Sequence, residues 1–113
     1  MSKQPHLSRK LVLEDRVQTP DGAGGFAVSW VPLGEVWADM RATRGNERVI
    51  GRRTVPSLAW RIRVRAAPVG AASRPKPEQR FVEGTRVFTI LAISELAGSD
   101  LYLDCWAEEG TLS

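Results

Sequence analysis

Between Arg41 and Arg65 stand eight arginines and one acid, Glu47, a local balance of +7. From Ile93 to Ser113 stand five acids (Glu95, Asp100, Asp104, Glu108 and Glu109) and no lysine or arginine, a local balance of −5. A guanidinium presents a planar fork of donors that suits phosphate and carboxylate equally. The pattern therefore fits two chemistries. One is contact with the phosphates of nucleic acid; the other is docking of one copy's basic side on another copy's acidic side. A third option, two solvated faces that merely differ in sign, stays open at this point.

Catalytic chemistry finds no foothold. His6 is the only histidine and Cys105 the only cysteine, so no nucleophilic triad or dyad assembles on the usual pattern, no thiolate cage for a metal forms, and no disulfide closes within the chain. There is no phosphate-binding Gly-x-x-x-x-Gly-Lys loop and no Gly-x-Gly-x-x-Gly between a strand and a helix. Glu108 and Glu109 lie side by side with no metal-ligand partner nearby in sequence. No catalytic residue, cofactor site or metal site is assigned, and the expected protein is not an enzyme. Cys105 alternates with Leu101, Leu103 and Ala107 and reads as a small buried hydrophobe.

The elements that would carry the arginines are strands. Leu58 to Ala66 alternates most cleanly: Leu58, Trp60, Ile62 and Val64 share one face, and Ala59, Arg61, Arg63 and Arg65 share the other. Residues 44–57, with Arg44, Arg48, Arg52 and Arg53, fit neither period and read as a long arginine-rich connection, with room for one helical turn at Glu47 to Ile50. Thr19-Pro20-Asp21-Gly22-Ala23-Gly24-Gly25 is a turn signal between Leu11–Gln18 and Phe26–Val31, which predicts a hairpin. Pro32-Leu33-Gly34 predicts a turn into a third strand, Glu35 to Thr43. Ala67 to Gln79 is proline-rich and reads as a loop, with one helical turn allowed at residues 77–80. Phe81 to Thr85 then turns into the strand Arg86 to Ser94, and Ala97 to Asp100 closes a hairpin onto Leu101 to Glu108. Six strands with short turns predict an all-β fold, a small antiparallel barrel. The four tryptophans, Trp30, Trp37, Trp60 and Trp106, each sit in apolar context, and core packing is assigned to them.

With 113 residues, the expectation is one domain over 1–113, with 1–8 as a flexible arm. The apolar runs are too short for a membrane-spanning helix and the N-terminal residues lack a secretory pattern, so a protein working in the cytoplasm, or in something assembled there, is expected.

Taken in order, Arg16-Val17, then Thr19 to Phe26, Trp30 and Val36-Trp37-Ala38 resemble the opening of tailed-phage head-closure proteins, the head-tail joining or stopper proteins, gene transfer agent homologues included. Trp60-Arg61-Ile62-Arg63-Val64-Arg65 is similar to that family's middle strand, and Arg86 to Ile90 with Leu103 to Gly110 to its closing hairpin. The resemblance spans about Leu11 to Gly110. It implies a small β-barrel with a long loop, set as a ring, a hexamer, at the neck of a phage or phage-like particle assembled in the bacterial cytoplasm. The implied partners are copies of itself, adaptor and portal proteins above, tail terminator and tail proteins below, and packaged double-stranded DNA held without sequence preference. On that basis Arg44, Arg48, Arg52 and Arg53 are expected to face the channel. Arg61, Arg63, Arg65, Glu95, Asp100, Asp104, Glu108 and Glu109 are expected at a subunit boundary or on DNA. The proline-rich stretch departs from the family pattern. The competing reading is a free-standing basic β-barrel that binds nucleic acid; a small hydrolase or nuclease subunit lacks the ligands it would need.

Overall fold

Leu11 and Leu13, Ile62 and Val64, Phe88 and Ile90, and Leu103, Cys105 and Ala107 each repeat at a spacing of two, so in extended chain each set falls on one face. In the computed structural model these faces all turn inward and, with Ala38 and Phe81, form one buried core. The structure describes residues 6–43, 48–50, 53–55, 59–67, 71–95 and 101–111, with backbone alone for 48–50, 53–55 and 111. Its strands are β1 (Arg9–Pro20), β2 (Phe26–Thr43), β3 (Arg48–Ile50), β4 (Arg53–Val55), β5 (Ala59–Arg65), β6 (Arg80–Glu83), β7 (Arg86–Glu95) and β8 (Tyr102–Thr111). Six of them close an antiparallel barrel in the order β1-β2-β5-β8-β7-β6, and β3 pairs with β4 in a separate two-stranded sheet. The described residues contain no helix.

Four local expectations change. Pro32-Leu33-Gly34 does not reverse the chain: β2 runs straight through, and the register slips so that Leu13 faces Gly34 while Glu14 faces Pro32. Leu33 is left as the extra residue of a bulge, which accommodates the missing N–H of Pro32 and the φ of +145° at Gly34. Residues 48–50 are strand rather than a helical turn, with Arg48 opposite Val55 and Ile50 opposite Arg53. Phe81 to Glu83, within the stretch Phe81 to Thr85 expected as turn, belong to a barrel strand, Arg80–Glu83, that joins β7 through the two residues Gly84 and Thr85; residues 77–80 form no helical turn. The hairpin connection at 97–100 lies outside the described residues.

The tryptophans divide: Phe81 and Phe88, both fully buried, fill the main core, Trp60 and Trp106 pack as expected at its margin and in a smaller buried cluster, and Trp30 and Trp37 do not. Trp60 packs against the core from one barrel end, edge-on to Phe88 at 5.8 Å. Trp106 lies on the outer wall in a small cluster with Ala59 and Ala92, its Nε1 donating to Ser94 Oγ at 3.2 Å. Trp37 is 54% exposed.

Beyond the barrel, β1 and β2 continue as a ribbon. Asp15 to Pro20 pairs with Phe26 to Val31, while β6 reaches β1 only at Val12 to Glu14 and β5 reaches β2 only from Ala38 onward. Six paired residues extend about 20 Å at the rise of an extended strand, which accounts for a molecule measuring 58 × 30 × 27 Å. Asp21 builds the tip: its Oδ1 accepts from Ala23 N and Gly25 N at 2.8 and 3.1 Å, and Gly22 and Gly24 take φ of +83° and +87° that other residues resist.

Candidate functional site

The arginine-bearing wall is built by β5 and its neighbours. Cross-strand partners share a face in antiparallel sheet, so Arg61 stands between Arg41 on β2 and Trp106 on β8, and Arg63 between Asp39 and Asp104. Arg63 and Asp104 form a two-pronged pair, Nε to Oδ1 at 2.6 Å and Nη2 to Oδ2 at 2.9 Å. That hydrogen bonding raises the Arg63 pKa above its ordinary value. Arg63 and Asp104, which the charge pattern assigns to opposite docking regions, therefore neutralise each other within one molecule. Arg61 differs. Its Nε is buried with no hydrogen-bond partner among the described residues, and burial first, then the neighbouring Arg63 charge, lowers its pKa. Arg65 is exposed, beside a shallow cleft lined by Leu7, Glu35, Val36 and Trp37.

On the acidic side, Glu109 accepts from Arg86 Nε at 2.8 Å and from Trp60 Nε1 at 3.0 Å. Arg86 lies over the rings of Trp60 and Phe88 at 5.4 and 5.1 Å, close enough for cation–π attraction. Arg9 grips Glu83 through both Nε and Nη2, and Arg86 also approaches Glu83 at 3.8 Å. Arg9, Glu83, Arg86 and Glu109 thus form a charged cap over the barrel end that Trp60 and Phe88 plug. Within it, the hydrogen bond from Arg9 holds Glu83 below the ordinary carboxylate range, and Arg86 does the same to Glu109. Glu108 is exposed, and Glu95 is exposed with its carboxylate 3.7 Å from Arg74. Arg44, Arg52 and Asp100 lie outside the described residues. Arg48 and Arg53 begin β3 and β4, and this small sheet runs against β7.

The expected site residues thus divide. Arg63, Asp104 and Glu109 are engaged inside the molecule, while Arg65, Glu95 and Glu108 face outward. The charge pattern missed Arg9, Glu83 and Arg86, which lie far from the basic run and meet only because the barrel closes. It also missed Arg80, whose Nε donates to Glu14 at 2.6 Å while its guanidinium stacks 4.0 Å from the Trp30 ring centre. Among the described residues no group of three His, Cys, Asp or Glu side chains could hold a metal ion. Cys105 is fully buried, and desolvation pushes its thiol pKa well up.

Against this geometry the comparisons are specific. The phage head completion protein family matches residues 2–110. The chain belongs to that family. A chain from the virion of a native gene transfer agent particle has a similar structure, with a TM-score of 0.75 and 51% sequence identity, over 96% of this chain and all of that one. No curated protein matches. Membership in the head completion family assigns the chain a structural role connected with the phage head.

Proposed function

We propose that this head completion protein is a connector, or stopper, subunit: copies of it form a ring, six by family resemblance, between portal and adaptor above and tail proteins below, at the neck of a phage or gene transfer particle. The ring retains packaged DNA and offers the tail its docking surface; the chain is a structural part without catalytic activity. The observation that carries this reading is the 51% identity, across the full length of the neighbour, to a chain found in a gene transfer agent virion. The barrel with one projecting ribbon suits the role, because a closed sheet leaves few edges to aggregate while the ribbon offers a separate contact. Assembly takes place in the bacterial cytoplasm, before the particle leaves the cell.

In this reading the β3–β4 segment faces the channel, and Arg44, Arg48, Arg52 and Arg53 meet DNA phosphates without reading sequence. Arg61, Arg65, Glu95, Asp100 and Glu108 serve the subunit boundary. A free-standing nucleic-acid binder is the weaker alternative, since Arg63 is already matched by Asp104 and, among the described aromatics of the wall, only Trp37 is exposed, where a single-strand binder interleaves several with its basic residues.

Neutralising Arg48, Arg52 and Arg53 together to glutamine tests the channel assignment. The expected particles contain the protein at normal copy number yet lose DNA to external nuclease; fully packed, transducing particles from the triple variant would remove this segment from DNA retention.

A further inference from the structure

We infer that the cleft at the base of the ribbon is a socket that receives Phe26 from the ribbon tip of a second copy of this chain, so that each subunit hooks the next. The inference rests on the connector reading. The cleft holds about 310 Å3 and is lined by Arg16, Trp30, Glu78, Thr89, Ile90 and Leu91, room for one aromatic side chain.

Two departures from regular structure and one clamped ring meet at this cleft. Glu78 has a φ of 75°, the only positive value at a non-glycine among the described residues. It is held there by two backbone bonds, Glu78 N to Ile90 O and Ile90 N to Gln79 O, both at 2.9 Å. Leu91 is the extra residue of a second bulge, since Ile90 faces Ala107 and Ala92 faces Trp106. Trp30 is fixed under Arg80, which Glu14 anchors. Strained backbone and bulges are over-represented at functional surfaces, and here both border one cleft beside a clamped ring.

The occupant follows from the ribbon. Phe26 is 66% exposed and Val28 is 45% exposed. Their cross-strand partners are Pro20 and Gln18, on the same ribbon face as Arg16 and Trp30. Phe26 stands four residues from Trp30 along one straight strand, about 13 Å away, so a paired ribbon cannot fold it into its own cleft. The ribbon does reach about 20 Å past the barrel, comparable to the 30 × 27 Å cross-section of the molecule, which brings the tip to a neighbour's wall. Tip and socket are different surfaces, so the contact is head-to-tail, the kind that propagates around a ring.

The test uses intact particles carrying Phe26→p-benzoylphenylalanine, an aromatic that crosslinks on irradiation. The expected product has twice the chain mass, with the ribbon tip joined to residues 86–95 of another copy. Leu91→Asp, or Thr89→Arg filling the socket from its rim, lowers that yield at least tenfold while circular dichroism shows an intact barrel. Crosslinks solely to a different virion protein, or a yield unmoved by both socket variants, would overturn the inference and leave the connector reading standing. Absence of the chain from purified particles would overturn the connector reading itself.

Discussion

Arg63 and Asp104 show why a charge count along the chain misleads at the level of single residues. Sixteen per cent of one side chain and 10% of the other remain exposed, so each ion depends on its partner more than on water. Arg63→Ala strands Asp104 in that setting and is expected to cost about 2 kcal/mol, reduced from the fully buried case by residual exposure; urea unfolding measures it. Glu83 and Glu109 contribute to the acid response. Their folded-state pKa values lie below the ordinary carboxylate value because Arg9 and Arg86 hydrogen-bond the charged forms. Their contribution is therefore complete above that ordinary value, near 4.5, and is lost as the pH falls through the lower folded values. Melting temperature followed from pH 7 to pH 3 is expected to drop on acidification, and Glu83→Gln is expected to start lower and fall less steeply.

At the level of elements, the ribbon behaves as a unit of its own. A lone two-stranded hairpin is marginal in water, so its order rests on the Asp21 turn and on the Arg80–Trp30 clamp at its base. Trp30→Ala is expected to speed hydrogen exchange of amides in 16–19 and 27–30 at least tenfold, while global stability falls by only about 1 kcal/mol; exchange read by mass spectrometry separates the two. Much of this architecture was legible in advance. Pro20-Asp21-Gly22 announced the hairpin because each residue favours the turn for its own reason, and the period-two runs of β5 and β8 named their inward faces. What stayed hidden has physical causes. Pro32 and Gly34 carry a turn's composition, but pairing with β1 on both sides overrides it and leaves a bulge. Arg80–Glu83 is too short to show a period and is strand only because it closes the barrel between β1 and β7. Hydrophobicity alone does not separate the tryptophans: the Nε1–H of Trp60 meets Glu109 at the barrel end, that of Trp106 meets Ser94 on the outer wall, and the Trp30 ring face meets Arg80 at the ribbon base.

For the whole molecule, the strong split between basic and acidic regions shrinks once the chain folds, because β5 and β8 are neighbours and cancel part of it. Outward charges such as Arg65, Glu95 and Glu108, with the projecting ribbon, remain available for contacts outside the chain. This head completion protein is proposed to work as a ring at the neck of a particle. Cryo-electron microscopy of intact particles from the producing cell tests it most directly. The expected result is density for the barrel repeated around the channel axis between portal and tail, with β3 and β4 on the inner side; particles whose neck lacks this chain, or that carry it only on the capsid shell or the distal tail, would rule the ring out.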